Sequence, residues 1–590
     1  MSAAPDLEVD VLIVGGGGAG LTASMLLSRL GVDSLLVSSL PTTSILPKAH
    51  ILNQRAMEIL ADCGVAEAVY AAGTPPEQFA ASGVYAGFSG HPLAGRLLGK
   101  IECWGGGGAN ADWVAASPRL TTNLPQIRLE PILRDGAEAL APGRVRFHHE
   151  VTEFAQDDDG VTAVVHDHDA RYTVRARYLM ACDGGRTIGR ALGVQMVGLK
   201  RLASQVSLHI SADLSQWATD PDVLLRWVFM PQLGAMVVMA PMGPTRWGPD
   251  SEEWVVHFSY RHDDVQNIDD ARAEADMRAA LGIGDHPVTV HLVSRWALDG
   301  VVADRFTHGR IFLFGDAAHR HPPTGGLGLT SAMHDVHNFC WKVAAVLRGE
   351  AGPALLDTYE SERRPAVERN VQRALENGAQ WTVTGQELGV YDPAATPDER
   401  WARLARTWSD DPADDAWRRH VAETLAAHSM EFQEQNVEYG AVYASPTVVP
   451  DGTDPAPNPD PIRIYQPSTR PGHPLPHAWV DGIDGTQVST LDLVRPGRFL
   501  LIAGEEGQSW CDAALEAGAE LGVPIDAVRI GLHRGDWLDP RCSWLRRREF
   551  TATGAVLVRP DRYVGWRSMG ASDRPGDELG RALAAILQRG

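Results

Sequence analysis

Three glycine-bearing turns carry residue types that can hold a phosphate or a polar chain. In VGGGGAG, residues Gly15, Gly17 and Gly20 keep the spacing G-x-G-x-x-G, with Gly18 and Ala19 completing the turn. The first glycine allows the tight turn, the second lets a pyrophosphate approach the backbone, and the third lets a helix pack on the strand. The helix that starts there offers unpaired N–H groups and a positive dipole end to phosphate, so the pattern reads as dinucleotide binding. In CDGGRTIGR, Asp183 and Gly184 form a turn and Arg190 follows on the next helix. In GDAAHRHPPTGGLG, Asp316 follows an apolar strand, where its carboxylate can accept hydrogen bonds from a polyol. His319 and His321 form H-x-H, but no third ligand stands nearby and no metal is expected.

These turns need strands before them and helices after them. An apolar run at residues 11–14 and a periodic helix at about 19–30 flank the first. An acidic residue would normally end the second strand and hold a ribose. Here SLLV runs into Ser38, so a serine hydroxyl or the backbone must make that contact. Residues 47–60 are helical in their second half, 79–101 read as strands broken by glycine, 104–109 as a flexible glycine loop, and 124–140 as a helix. From about 206 to 293 the β runs lengthen and become rich in Trp and Met, which reads as a separate substrate layer. Helices follow at 355–374, 398–408 and 415–433. Residues 443–476 are punctuated by Pro, Gly and Asp, and strands then alternate with helices to the end.

Composition limits the alternatives. With 590 residues the chain exceeds one ordinary domain. A net charge of -22 speaks against a nucleic-acid surface and offers no basic patch to a membrane. No apolar run is long enough to span a bilayer, and MSAAPDLEVD has neither the basic nor the apolar part of a secretory signal. The six cysteines are scattered without C-x-x-C, as in a cytoplasmic protein with small buried thiols.

The three turns, in this order and at these separations, resemble those of the FAD-dependent aromatic hydroxylases of the p-hydroxybenzoate hydroxylase fold, the class A flavin monooxygenases, over roughly the first 375 residues. The segment PKAHILNQRAMEIL and the C-terminal extension are most similar to the 2,4-dichlorophenol 6-monooxygenase and 2-hydroxybiphenyl 3-monooxygenase group. The resemblance implies an α/β chain: a Rossmann-like FAD-binding domain over residues 1–375, with a β-sheet substrate domain interleaved mainly at 79–118 and 200–298. A helical extension (376–445), a linker (446–477) and a thioredoxin-like domain lacking C-x-x-C (478–590) follow. It also implies one non-covalent FAD, NADPH or NADH as co-substrate, O₂, a small aromatic substrate, and a homo-oligomer, a dimer.

By the same match, Gln126 lies near the isoalloxazine, and Asp183, Gly184 and Arg190 serve the FAD and NADPH pyrophosphates. Lys48 stands where relatives carry arginine, which keeps the charge but loses bidentate geometry. Gly328, Leu329 and Thr330 approach the flavin, and the Pro323 carbonyl approaches the substrate hydroxyl. Trp227, Met230 and Trp296 of the middle sheet are expected to line an apolar pocket. The implied reaction is attack of a phenol ring on a flavin hydroperoxide, for which phenolate is far better than phenol. A free phenol titrates near ~10, so a base is needed at neutral pH. His50 matches the proposed base position, and an imidazole titrating near ~6.5 suits that proton transfer. A halogenase would carry W-x-W-x-I-P, which is absent. A tailoring oxygenase of polycyclic aromatics and a catalytically dead flavoprotein scaffold remain as alternatives.

Overall fold

The computed structural model describes residues 5–167, 170–260 and 268–589. The first four residues of the stretch examined for a secretory signal lie outside them.

The first sheet explains how three turns distant in sequence meet. Strand Ala170–Ala181 pairs in parallel with Leu7–Val14 on one side and with Ile311–Leu313 on the other. Their carboxyl ends carry Gly15, Cys182–Gly184 and Gly315–Asp316, so all three turns lie along one edge. Ser34–Ser38 extends this sheet in parallel on the far side of Leu7–Val14. These strands are covered on both faces, which is why VLIV and YLMA read as continuous apolar runs. Open parallel sheets of this kind bind ligands beyond the carboxyl ends of their strands.

The second sheet has eight strands, drawn from two parts of the chain: Ala81–Ala86 and Arg96–Glu102 pair on to strands between Met196 and Arg320. The substrate layer is thus interleaved with the first sheet. One face packs on helix Asp270–Leu281 through Val206, Leu208, Met230, Met239 and Met277. The opposite face is more polar and looks toward His50 and the glycine turns.

The third sheet is built from Trp479–Asp481 onward. At its centre Phe499–Gly504 lies parallel to Ile525–Gly531 and antiparallel to Ala555–Val558, which pairs with Val564–Ser568. Helix Gln508–Leu521 connects the parallel pair and Pro575–Ile586 closes the chain.

Four local expectations change. The glycine run at 105–108 is a packed turn rather than a flexible loop: all four glycines have positive φ, and a Cβ on Gly107 would strike the Pro76 carbonyl. The helix expected to end at Ala374 runs as Thr358–Glu387, because its apolar contacts, Trp381 among them, continue past that point. The helix near 415–433 is interrupted, running as Asp415–Ala426 with a short separate helix Ser429–Phe432 after it. Residues 446–477 lack regular elements but form a strap bound along its length. Thr447, Thr469 and Leu475 are fully buried, Thr447 donates to Glu362, and Asp451 pairs with Arg567.

Candidate active site

Gly15 has φ +121°, and a Cβ there would collide with the Cys182 carbonyl. A Cβ on Gly20 would collide with the Gly15 carbonyl, so this helix and strand meet at backbone distance. Gly17 caps helix Gly18–Arg29 without a side-chain hydrogen bond, leaving its first amides unmet. A second helix, Leu327–Leu347, starts at Gly326, also without a side-chain cap. The two starts are adjacent: the Leu329 side chain stands 2.7 Å from where a Cβ on Gly18 would be. Two uncapped helix starts, side by side at the carboxyl edge of a parallel sheet, fit the pyrophosphate and the anionic ring edge of a flavin dinucleotide.

Around this cradle, Ser38 is buried below Gly16 and its hydroxyl accepts from the Leu40 amide at 3.3 Å. Gln126 donates to Glu130, which also accepts the Ser44 amide at 2.6 Å, so the Gln126 amide is oriented. Asp183 accepts from the Gly185, Thr187 and Ile188 amides and so fixes its own turn. Its carboxylate is therefore a turn cap, whereas the Asp316 residue is exposed on the edge. The Thr330 hydroxyl is buried and donates to the Leu327 carbonyl, which leaves only backbone groups of Gly328, Leu329 and Thr330 for a ring. Lys48 and Arg190 are exposed.

His319 has a different job from metal binding. It pairs with buried Asp335 at 2.7 Å, which also receives Arg363 at 2.9 Å and the Gly315 amide at 3.3 Å. This knot anchors the Asp316 turn to helix Leu327–Leu347. Among the described residues, no group of three or more His, Cys, Asp or Glu is placed to hold a metal ion.

His50 lies between the cradle and the second sheet. Its Nδ1 is 2.6 Å from Asn123 Oδ1, and Asn123 Nδ2 donates to Thr74 at 2.7 Å. Because that amide nitrogen is committed, Oδ1 is the acceptor and Nδ1 of His50 carries the proton. Nε2 is left with a lone pair. Burial lowers the His50 pKa below 6.5, only partly offset by the Asn123 bond, which favours this neutral form.

Cross-strand pairing sets the facing surface. Trp227 pairs with Val238, Val238 with His257, and His257 with Ser207, so these four share one face of the sheet. Trp296 reaches the same row, its indole N–H donating to Ser207 Oγ at 3.0 Å. Ser207 Oγ is 2.7 Å from His257 Nδ1. Burial and the nearby His50 push the His257 pKa down to about 4. Further along, His209 meets Glu253 at 2.7 Å and Arg128 meets the same carboxylate at 2.5 Å, tying the helix that begins at Gln126 to this sheet.

Among the expected pocket residues, Trp296 is on this face and Trp227 is there too, stacked on Trp381 at 3.8 Å. Met230 is not. It is fully buried on the opposite face with Val228 and Met239, because residues three apart on a strand point to opposite sides. The Pro323 carbonyl accepts the Gly326 amide at 3.0 Å, closing the turn before the second helix. Asn123, Ser207, His257, Glu130 and Asp335 were not singled out by the sequence reading. The alternation of Val206, Leu208 and Ile210 with Ser207, His209 and Ser211 is the signal that exposes Ser207 on a polar face.

Residues 8–374 match the family described as FAD binding domain, and residues 468–590 match the aromatic-ring hydroxylase C-terminal family. The chain is 36% identical to 2,4-dichlorophenol 6-monooxygenase of Delftia acidovorans, covering 98% of each. It is 34% identical to tetracenomycin B2 monooxygenase-dioxygenase of Streptomyces olivaceus, covering 99% of each. Among solved structures, the flavin-dependent monooxygenase PieE in complex with FAD and substrate is similar with a TM-score of 0.91 and 37% identity over 100% of both chains. The chain belongs to the FAD-binding aromatic-ring hydroxylases. It is an FAD-dependent monooxygenase that uses NAD(P)H and hydroxylates an aromatic ring. No described helix is long and apolar enough to cross a membrane.

Proposed function

We propose that the phenolic substrate lies between the glycine turns and the polar face of the second sheet, with its hydroxyl on Nε2 of His50. The observation that supports this is the His50–Asn123–Thr74 chain, which puts the proton on Nδ1 and leaves Nε2 as an acceptor. FAD, when bound and reduced by NAD(P)H, supplies the activated oxygen. Gly15, Gly17, Gly18, Ala19 and Gly20 would carry its pyrophosphate, Ser38 and Asp316 its polyol and ribose side, and Gln126 with the Gly328–Thr330 amides its ring. Lys48 and Arg190 would meet the nicotinamide nucleotide. His50 takes the phenol proton, leaving a phenolate whose ring is electron-rich enough to accept oxygen. Asn123 keeps the imidazole in the productive tautomer, and the apolar walls of Ile51, Trp227 and Val255 exclude water.

A parallel β-α-β pair followed by an antiparallel β-β-α in the small C-terminal sheet supports a thioredoxin-like unit there. Cys511 and Cys542 are free, which supports a structural rather than a redox use. The reading extends to the domain limits given above and to a cytoplasmic homodimer. Light scattering on the purified holoenzyme and cell fractionation test the last two. The test of the base is His50→Ala. Hydroxylation of a simple phenol should slow while FAD content and reduction by NADPH persist, with rescue by more acidic phenols. An unchanged rate and pH profile would remove His50 from this role.

A further inference from the structure

The cleft has a second polar wall that the base does not use. Ser207 Oγ accepts the Trp296 indole N–H at 3.0 Å and sits 2.7 Å from His257 Nδ1. An indole nitrogen only donates, so the serine oxygen is the acceptor in that bond. The serine proton then needs an acceptor of its own, and His257 Nδ1 is the partner in reach. That assignment puts the imidazole proton of His257 on Nε2, the nitrogen not engaged by Ser207. His257 is half-buried, and its neutral state is favoured by burial and by His50 nearby. The two histidines therefore present opposite functions to one cleft: His50 a lone pair, His257 an N–H.

We propose that the Trp296–Ser207–His257 chain is a hydrogen-bond donor site for a second oxygen of the substrate, so that the preferred ring carries a carbonyl or second oxygen function besides the phenol. This deepens the reading of the cleft given above and rests on it. A simple monophenol would satisfy His50 and leave the His257 N–H without a partner in a partly dry site. Such a deficit discriminates between ligands, because an unmet buried donor loses its full hydration. Ser207 acts as a positioning residue: it holds the imidazole tautomer and touches no substrate. Trp296 holds Ser207 in turn.

The test uses the FAD-loaded full chain and two matched kinds of ligand, tetrahydronaphthol with one oxygen and the isomeric hydroxytetralones with a phenol and a ring carbonyl. Binding is read from the change in the flavin visible spectrum, independent of turnover. The parent protein should bind at least one hydroxytetralone more tightly than tetrahydronaphthol. His257→Leu should erase that preference, a loss of about tenfold for the ketone and little for the one-oxygen ligand. His257→Gln, which keeps an N–H near the Nε2 position, should retain most of it, and Trp296→Phe should reduce it. Equal losses for both ligand kinds in His257→Leu, no preference in the parent, or failure of Gln to outperform Leu would each overturn the proposal. His50→Ala, scored by hydroxylation rate, reports on the base separately. If that variant hydroxylates normally while the His257 pattern holds, the base assignment falls and the donor site stands.

Discussion

Two regions of the protein bury polar groups in opposite ways. Where the C-terminal hairpin turn at residues 559–562 plugs into the flavin-binding half, every charge is answered. Arg559 makes a bidentate pair with Glu362 and a second pair with Asp561, and Lys342 meets Glu362 at 2.7 Å, with all four side chains at most 1% exposed. Arg562 and His337 share Asp62, and Arg55 reaches Glu58 at 2.6 Å and the Asp561 carbonyl. In the catalytic half, by contrast, it is neutral groups that go without a protein partner, both nitrogens of His321 and the indole N–H groups of Trp104 and Trp227, as does the Trp341 indole beside Arg559. Buried polar atoms are almost always paired in folded proteins. The first region is closed and holds shape. The second leaves neutral polar atoms unmet by the protein.

The sharpest separation comes from His50. His50→Ala should cost about 10²- to 10⁴-fold in oxygen transfer to a simple phenol, with little change in melting temperature. Stopped-flow rates beside a thermal melt check this; a large fall in melting temperature would mean His50 belongs with the closed region. Next, Arg559→Ala leaves Glu362 and Asp561 underpaired in a dry site and should destabilise by about 3–5 kcal/mol. Replacing Arg559, Glu362, Lys342 and Asp561 together by apolar residues of similar volume should cost much less. Denaturant unfolding of the holoenzyme measures both, and equal losses would show that packing, not pairing, dominates the plug.

Acid should act on buried histidines before it acts on paired carboxylates. His257 has a folded pKa of about 4 against 6.5 when free, so the unfolded chain takes up its proton first and stability falls as pH drops from 6.5 toward 4. Asp62 is held below its ordinary 3.8, mainly by Arg562 against the opposing effect of burial, so its contribution is present above 3.8 and fades only below that. His257→Gln should lessen the first slope, to which His337 and His477, also lowered by burial, contribute, and leave the second, as read by unfolding free energy against pH. Smallest of all, breaking the exposed Arg574–Asp577 pair with Asp577→Asn should change stability by under about 1 kcal/mol. A larger effect would undercut the contrast between buried and surface charge used here.

The glycine turns and their strands were legible because a parallel strand covered on both faces is a continuous apolar run ending in glycine. The second sheet was legible as a layer, but its two sides were not sorted. Trp227 and Met230 were put in one pocket although their spacing of three forbids a shared strand face. Asn123 was hidden for another reason. It meets His50 through a bridge of two residues on each side, Ile51 with Asn123 and Leu52 with Thr122, too short to leave a pattern. The plug was invisible as well. RPDR reads as an ordinary turn, and nothing local says that its arginines fit acids placed two to five hundred residues earlier.

That plug also sets an order of assembly. Helix Leu327–Leu347 begins beside Gly18 and, further along, carries Asn338 and Lys342, both bonded to Glu362, whose other partners are Ser445, Thr447 and, close to the C-terminus, Arg559. A nascent chain stalled before residue 559 would hold the whole glycine edge yet keep Glu362 short of its bidentate cation. A chain truncated near its end would thus carry a buried carboxylate facing one cation, Lys342, in place of two, a defect seated far from the missing residues.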